Sequence, residues 1–295
     1  MFHCGTGRTG RTDRTGRTGR TGGPFGRRAR AVAEGDTLAR IATVLGETLV
    51  GQRVEAAQAR PGSAALDRVS GTTIESVEAR GKHLLIGFDN GLTLHTHLGL
   101  HGSWHRYRPG EAWRRPRARA AAILQTPRTV AVAFDAPTVE LLDTRALDLH
   151  PRLRRLGPDA SAADFDFEAT LASLRAPANA ERAIGDALLD QRIVAGLGNV
   201  YRSEVCFIER VDPFAPVGSL EDRTLRRLLE TGARLLRANR DGGARVTTAL
   251  GTPGNLYAYG RTRRPCRRCG TLIVSRLAGA NRRAYWCPRC QPSAG

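Results

Sequence analysis

The spacing of apolar residues predicts one helix at the start of the folded chain. Leu38, Ile41, Leu45 and Leu49 recur at helical spacing, and Gly51 follows as a helix stop. This pattern is typical of an amphipathic helix that buries one face.

A set of short strands is predicted after this helix, because β-prone residues gather in short runs separated by turn residues. The predicted strands are 73–77, 83–88, 92–97, 103–107, 120–125, 130–134 and 139–142. Asp89, Asn90 and Gly91 form a hairpin-turn signal between two of these strands. Short strands joined by turns indicate an antiparallel sandwich or barrel.

The second half of the chain is predicted to be helical. Beyond the turn sequence 156–159, helical patterns continue to residue 240, and Pro151 and Pro158 mark a linker. We therefore expect an α+β fold in two lobes, an N-terminal antiparallel β lobe led by a helix and a C-terminal helical lobe. A cleft between two such lobes is suited to gripping a polyanion from both sides.

The first segment of the chain is predicted to lie outside this fold. Residues 5–30 repeat Gly, Arg and Thr with almost no apolar residue, so they cannot bury a core and should be disordered. Such a tract either binds nucleic acid loosely or is upstream sequence translated from a misplaced start.

The charge of the chain indicates a polyanionic partner. The 295 residues carry a formal net charge of +18, and residues 1–32, with eight Arg and one Asp, leave +11 on the remainder. Nucleic acid is the first candidate and an acidic membrane surface a distant second. No apolar run long enough for a membrane span and no secretory signal is found, so we expect a cytoplasmic monomer without a membrane partner.

Lys82 is the only lysine among 46 basic residues. This bias is typical of a G+C-rich coding sequence, which avoids lysine codons wherever a positive charge is all that is needed. Composition alone leaves two interpretations open: Lys82 is retained for chemistry, or it is a residual surface lysine.

Four cysteines form the strongest local motif. Cys266-x-x-Cys269 and Cys287-x-x-Cys290 are separated by seventeen residues, a spacing that suits four thiolates converging on one structural Zn²⁺ from two turns of a β-hairpin. Two disulfides are the alternative, which a cytosolic setting disfavours. Cys206, on an apolar helical face, is predicted to be a small core residue.

The segment 190–201 joins two helical stretches through a turn that contains two glycines and ends near Asn199. Asn199 is able to cap the second helix, and a glycine-rich turn before a helix N-terminus is suited to binding a phosphate. An ordinary helical hairpin is the alternative interpretation.

Together these motifs resemble those of a known family. Five motifs occur in family order: 33–37 (AEGDT), 81–85 (GKHLL), 190–201, 259–261 (YGR) and the four cysteines. The set is similar to the formamidopyrimidine-DNA glycosylase and endonuclease VIII family, and the match spans about residues 33–291. The resemblance implies a catalytic β-sandwich domain, a helix-two-turn-helix domain and a zinc-finger hairpin. We place these at 33–150, 151–262 and 263–291.

The endonuclease VIII branch of this family fits better. The stretch 81–104 is similar to that branch, and the Arg-Arg-Phe-Gly signature of the purine-preferring branch is absent near 135–144. The resemblance therefore implies excision of oxidised pyrimidines. Leu100 matches the apolar wedge that fills the gap left by a flipped base; a core leucine at a strand end is the alternative.

The resemblance also implies a catalytic set and DNA contacts. Ala33 would supply an α-amine that forms a Schiff base with the deoxyribose, Glu34 would transfer protons, and Lys82 would contact phosphate and sugar. Asn199, Arg261 and Arg282 match DNA-contacting positions, although Arg283 and Arg289 have the same chemistry as Arg282. The implied activity is base excision followed by β,δ-elimination in damaged DNA.

One feature departs from the family. Its usual terminal proline is replaced by Ala33, and 32 residues precede this alanine. We expect the active enzyme to begin at Ala33, after initiation at the codon of Val32 and removal of the initiator methionine. Two rival hypotheses remain, a catalytically silent DNA-binding relative without a free amine and a generic basic zinc-ribbon protein.

Overall fold

The computed structural model describes residues 33–252 and 254–293, so the predicted disordered extension lies outside the described residues. Helix α1 (Gly35–Leu49) confirms the predicted first helix. Leu38, Leu45 and Leu49 are fully or almost fully buried on its inner face, as their spacing requires.

Eight strands follow α1 and form two antiparallel sheets. They are β1 (Ala56–Ala59), β2 (Ile74–Arg80), β3 (His83–Phe88), β4 (Leu92–His97), β5 (Ser103–Tyr107), β6 (Ala120–Gln125), β7 (Val130–Phe134) and β8 (Thr138–Asp143). The strand orders are β1-β6-β7-β5 and β2-β3-β4-β8. One buried core takes residues from both sheets and from α1, which confirms the predicted β-sandwich.

The β3–β4 hairpin sets the register of the second sheet. Gly91 in its turn has φ +76°, a left-handed conformation that favours glycine. The pairing places His83 opposite His97 in β3 and β4, and His95 opposite Glu140 in β4 and β8. Polar side chains therefore gather at one end of this sheet.

The helical lobe contains four helices. They are α2 (Phe167–Arg175), α3 (Ile184–Ala187), α4 (Asn199–Ile208) and α5 (Asp222–Ala238). Their apolar faces share a second core, in which Cys206 is fully buried, as predicted. The α+β fold class is thereby confirmed.

A two-stranded antiparallel hairpin, β9 (Val274–Ala278) and β10 (Arg282–Trp286), follows the helices. A small core around Phe207 of α4, Ala258 and Ile273 supports its base. Within the described ranges, no helix has the combination of length and apolar character that a bilayer crossing requires.

Candidate active site and metal-binding hairpin

The β lobe and the helical lobe meet at the glycine-containing turn before α4. The Gly35 N–H donates to the Gly196 carbonyl oxygen at 2.9 Å, and the Gly81 N–H donates to the Asp159 carboxylate at 2.5 Å. A Cβ on Gly35 would lie 2.9 Å from the Gly196 Cα, so the two backbones touch. This contact places the start of α1 against the start of α4.

Glu34 uses this contact to reach across the interface. Its side chain is fully buried, and its carboxylate accepts hydrogen bonds from the N–H groups of Val200 at 2.8 Å and Tyr201 at 3.3 Å. These are among the first N–H groups of α4, which lack partners within the helix. Glu34 therefore caps α4, at the positive end of its dipole.

The prediction that Asn199 caps α4 is wrong. Gly198 is the N-cap residue, and Asn199 is the first helical residue. The sequence analysis predicted that a phosphate binds at this helix N-terminus. In the structure, the N–H groups of Val200 and Tyr201 already donate to Glu34. A buried internal carboxylate satisfies the electrostatic demand of the helix end, so no external anion is needed there.

Lys82 lies in the turn between β2 and β3, directly after Gly81, whose φ of +57° is left-handed. Its ammonium group donates a hydrogen bond to the Leu197 carbonyl oxygen. Burial lowers the Lys82 pKa to about 8, the Glu34 carboxylate opposes this shift, and Arg282 and Arg245 add to it. Lys82 is thus half-buried and hydrogen-bonded instead of freely exposed, and its role in chemistry stays a prediction.

A pocket of about 700 Å³, including its open mouth, brings the sequence-predicted residues together. Its lining includes Ala33, Glu34, Lys82, Leu100 and Arg282, which come from four separate parts of the chain. The Leu100 side chain is 50% exposed, which excludes the alternative of a core leucine. The backbone of Ala33, a carboxylate and two cations therefore border one cavity.

The hairpin is fixed so that Arg282 reaches this pocket. The Asn199 side-chain amide donates to the Arg283 carbonyl oxygen at 3.1 Å, and the buried Arg202 guanidinium donates to the same oxygen at 2.8 Å. Arg202 also donates to the Asn199 side-chain oxygen. Asn199 thus joins α4 to the hairpin in this structure.

Arg261 lies before the hairpin and makes contacts within its own segment. Its guanidinium donates to the carbonyl oxygens of Tyr257 and Pro265, and the residue does not line the pocket. The described contacts therefore assign Arg261 to the shape of this turn, and its contact with DNA stays a prediction.

Several residues at the site had not been identified from the sequence. His97, Leu189 and Gln191 also line the pocket. The Gln191 amide donates to the Leu197 carbonyl oxygen at 2.9 Å and accepts from the Gly196 N–H at 3.1 Å, which fixes the turn. Its position within the motif 190–201 was the only sequence signal.

Asp36 and Arg245 form a buried ion pair beside the pocket. Two nitrogen atoms of Arg245 lie 2.6 and 2.8 Å from the Asp36 carboxylate oxygens, and the guanidinium stacks over the Tyr201 ring at 5.0 Å. This pair ties the segment after α5 to the first turn of α1. No local pattern marks Arg245, which is 209 residues away from Asp36.

The four motif cysteines converge at the base of the hairpin, and none of them forms a disulfide. The Cys266 and Cys290 sulfurs lie 3.9 Å apart, and the Cys269 and Cys287 sulfurs 3.5 Å apart. A tetrahedral ion with Zn–S bonds of ~2.3 Å requires sulfur separations of about 3.8 Å. The cluster therefore fits a closed four-thiolate metal site.

Comparisons with known proteins cover both lobes. The family model described as the formamidopyrimidine-DNA glycosylase N-terminal domain matches residues 32–147, and the one described as the formamidopyrimidine-DNA glycosylase H2TH domain matches residues 156–249.

Two curated relatives extend over most of the chain. A probable endonuclease 8 2 of Streptomyces coelicolor is 41% identical over 88% of this chain and 93% of its own length. The DNA-(apurinic or apyrimidinic site) lyase Nei2 of Mycolicibacterium smegmatis is 37% identical over 88% of this chain and 99% of its own length.

A solved structure shares the fold. Lactococcus lactis Fpg (MutM), crystallised with DNA that contains N7-benzyl-Fapy-dG, superposes with a TM-score of 0.76 and 26% identity. The alignment covers 88% of this chain and 100% of that protein.

Proposed function

Since this chain belongs to the formamidopyrimidine-DNA glycosylase and endonuclease VIII family, we propose that it excises oxidised pyrimidines through a Schiff base. It is a base excision repair enzyme with DNA glycosylase and AP lyase activities, and it binds damaged DNA. The proposal adds the lesion class, the reacting groups and the order of bond cleavage to this activity.

The observation that carries the proposal is the shared pocket of Ala33, Glu34, Lys82, Leu100 and Arg282. Ala33, Glu34 and Lys82 offer different chemical groups and lie close together in space. Covalent catalysis with proton transfer requires such an arrangement. We divide the chain into a catalytic domain at 33–150, a helical domain at 151–262 and a zinc finger at 263–291. The family matches at 32–147 and 156–249 support the first two domains, and the convergence of the four cysteines supports the third.

Ala33 would act as the nucleophile through its α-amino group. An α-amine with a pKa of ~8 is uncharged in roughly one molecule in ten at pH 7, far more often than an ordinary lysine. Its nitrogen attacks C1′ of the damaged nucleotide, the glycosidic bond breaks, and the base departs with a proton. Opening of the C1′–O4′ bond then leaves an imine between Ala33 and the sugar.

Glu34 would manage the protons of these steps. Its carboxylate is held by two backbone N–H groups of α4, so its position is fixed before substrate arrives. It takes up the proton that the Ala33 nitrogen loses on attack and returns it to O4′ as the ring opens, and it then assists elimination of the 3′ and 5′ phosphates.

Lys82 and Arg282 would hold the phosphate and sugar next to the lesion. Both cations border the pocket, and Arg282 is supplied by the hairpin. Phosphate contacts of this kind position the strand without reading its sequence. Asn199 and Arg261 are proposed to contribute further backbone contacts from the α4 and hairpin side.

Leu100 would occupy the space vacated by the extruded base. It is half exposed at the mouth of the pocket, where an apolar side chain replaces lost stacking without demanding hydrogen bonds. The four-cysteine site fits one Zn²⁺, whose role would be structural because four thiolates leave no position for substrate.

The test compares two forms of the protein, one that begins at Ala33 with a free amine and one that retains residues 1–32. Each is mixed with abasic DNA and borohydride, which reduces an imine to a stable crosslink. We expect crosslinking only with the form that begins at Ala33, because an internal Ala33 nitrogen is an amide. The matched control begins at Ala33 but carries an N-acetyl group.

Three outcomes decide between the hypotheses. Crosslinking confined to the free-amine form supports Ala33 as nucleophile. Equal crosslinking by the extended form, with its tail still attached by mass, refutes that role while leaving the glycosylase activity in place. DNA binding without crosslinking or excision by any form would identify a catalytically silent relative.

A further inference from the structure

Three histidines and one glutamate of the β2-β3-β4-β8 sheet form a network with His150, which follows β8, beside the candidate active site. His95 Nδ1 lies 2.8 Å from Glu140 Oε2, and His150 Nε2 lies 3.2 Å from the same oxygen. On its other side, His95 Nε2 lies 2.8 Å from His83 Nδ1. The His83 ring packs on His97 with ring centres 4.9 Å apart.

The partners of each ring fix the hydrogen positions. His95 Nδ1 and His150 Nε2 both face a carboxylate oxygen, so both carry hydrogen and donate to Glu140. His95 Nε2 then accepts from His83 Nδ1.

Two imidazoles that converge on one carboxylate oxygen have the donor set of a transition-metal site. The three donor atoms lie within 4.8 Å of one another. With metal–ligand bonds of about 2.1 Å, separations of 2.8 and 3.2 Å correspond to angles of about 84° and about 99° at the ion. Angles near 90° suit five- or six-coordinate ions.

We propose that His95, Glu140 and His150 form a second metal site, which takes a first-row divalent ion of the Co²⁺, Ni²⁺ or Zn²⁺ class. His95 closes one side of the site because it has no exposed surface, whereas the Glu140 side chain is 40% exposed. Solvent ligands complete the coordination on that open side. This proposal does not depend on the proposed function.

His83 allows His95 to bind the ion because it can accept the hydrogen bond that it otherwise donates. Coordination at His95 Nδ1 moves the hydrogen of that ring to Nε2; the His83 hydrogen moves from Nδ1 to its own Nε2, and His83 Nδ1 then accepts from His95. A histidine ligand is commonly oriented by such an outer partner. The direction of the His83–His95 hydrogen bond is therefore reversed when the ion binds.

Two contacts oppose the ion and set its affinity. The Leu153 N–H lies 3.4 Å from His150 Nδ1, an atom that must carry hydrogen once Nε2 binds metal. The second is the positive charge of Arg152, which lies two residues after His150. Arg152 is exposed, so solvent and salt screen its repulsion, and the Leu153 contact is long enough to be weak.

The position of the site gives the ion a structural consequence. His95 lies in β4 and Glu140 in β8, whereas His150 directly precedes Pro151, where the chain leaves the β lobe. An ion bound by all three residues would fasten the start of the interlobe connection to the sheet.

The experiment uses the full chain with its four-cysteine cluster saturated with zinc and free metal removed. Co²⁺ is then titrated by calorimetry into three proteins: wild type, Glu140→Gln and Glu78→Gln. Glutamine at 140 still accepts hydrogen bonds from both histidines but offers a far weaker ligand. Glu78, on β2 of the same sheet with a 55% exposed side chain, provides the matched control.

We expect the wild type and Glu78→Gln to bind one Co²⁺ per chain and Glu140→Gln to bind it at least about tenfold more weakly. Co²⁺ should also raise the Tm of the first two proteins and leave that of Glu140→Gln unchanged, because an ion that binds only the folded state stabilises it. His3 is present in all three proteins, so any binding there cancels in the comparison.

If Glu140→Gln does not fold, His150→Ala takes its place. If wild type binds no Co²⁺ in addition to its zinc, the network is held together by hydrogen bonds alone and the proposal is wrong. Equal affinity in wild type and in the folded 140 or 150 variant would equally overturn the proposal. Neither result bears on excision, which is not measured.

Discussion

Gly198→Ala tests the link between α4 and the Glu34 carboxylate, for which we propose a catalytic role. Gly198 has φ −134° and ψ −163°, an extended conformation that alanine adopts without strain. The obstacle is Glu34: a Cβ at position 198 would lie 2.4 Å from its Cδ, 2.5 Å from Oε1 and 2.7 Å from Cγ. Carbon atoms in normal contact are about 3.5–4.0 Å apart, so the carboxylate must move by roughly 1 Å.

The structure sets the size of the effect. The displaced carboxylate loses its hydrogen bonds to the Val200 and Tyr201 N–H groups. Hydrogen bonds to charged groups are each worth about 1.5–3 kcal/mol, so the free energy of unfolding should fall by roughly 3 kcal/mol. Displacement of a catalytic group by about 1 Å costs on the order of 100-fold in rate.

Gly46→Ala is the matched control. It also adds one methyl group to a glycine, within α1, where the new Cβ would lie 3.9 Å from the Val77 Cβ. This is an ordinary contact, and alanine is favoured over glycine in a helix by about 1 kcal/mol. The control should therefore be as active as wild type and slightly more stable.

The assay is single-turnover excision of thymine glycol from a duplex oligonucleotide, with thermal unfolding of each protein measured in parallel. Glu34→Gln, which leaves Gly198 intact, separates loss of proton transfer from loss of fold. If Gly198→Ala excises the lesion at the wild-type rate and unfolds at the wild-type temperature, the cap assigned to Glu34 is wrong.

Four further predictions concern the cation, the metal and the lesion. Lys82→Ala should slow excision by about 100-fold and leave non-specific DNA affinity largely intact, because 45 arginines remain. A wild-type excision rate would refute this role. Burial lowers the Lys82 pKa to about 8, so its charge is lost as pH rises through that value. Because arginine keeps its charge, the alkaline limb of the kcat/KM profile should move to higher pH in Lys82→Arg. Cys287→Ser should bind less than one zinc per chain and melt earlier, and unchanged zinc content would argue against a four-thiolate site. Thymine glycol should be excised faster than oxidised guanine opposite cytosine, and a side-by-side assay with the reverse order would contradict the branch assignment.

Local sequence patterns predicted most of the strands because alternation and turn residues act over short distances. Strands β3 to β7 begin and end where the sequence places them. β1 (Ala56–Ala59) was missed, since its Ala-Ala-Gln-Ala sequence has no β-branched or aromatic residue. Its pairing with β6 forms the strand, a long-range contact that propensity does not contain.

The candidate site, like the strands, was predictable only where the signal is local in the sequence. The motifs identified Glu34 and Lys82 as residue types suited to the chemistry, but not the partners that hold them. Glu34 and Val200 are 166 residues apart, and no pattern in a single chain reveals such a contact. The prediction for Asn199 was wrong for this reason. The sequence suggested the nearest polar side chain as the cap of α4, whereas Glu34 supplies it from the other lobe.

The N-terminus of α4 is where the β lobe, the helical lobe and the hairpin meet. Glu34 reaches it from the β lobe, Gln191 and Lys82 both bind the Leu197 carbonyl oxygen just before it, and Asn199 holds the hairpin through the Arg283 carbonyl oxygen. The positive helix end stabilises the Glu34 anion, and that anion in turn favours the charged form of Lys82 in a buried setting that otherwise disfavours it. Removal of the carboxylate would leave helix N–H groups without a partner and make the Lys82 ammonium more costly to bury. The carboxylate proposed to act in catalysis is thus also a structural element that joins the two lobes.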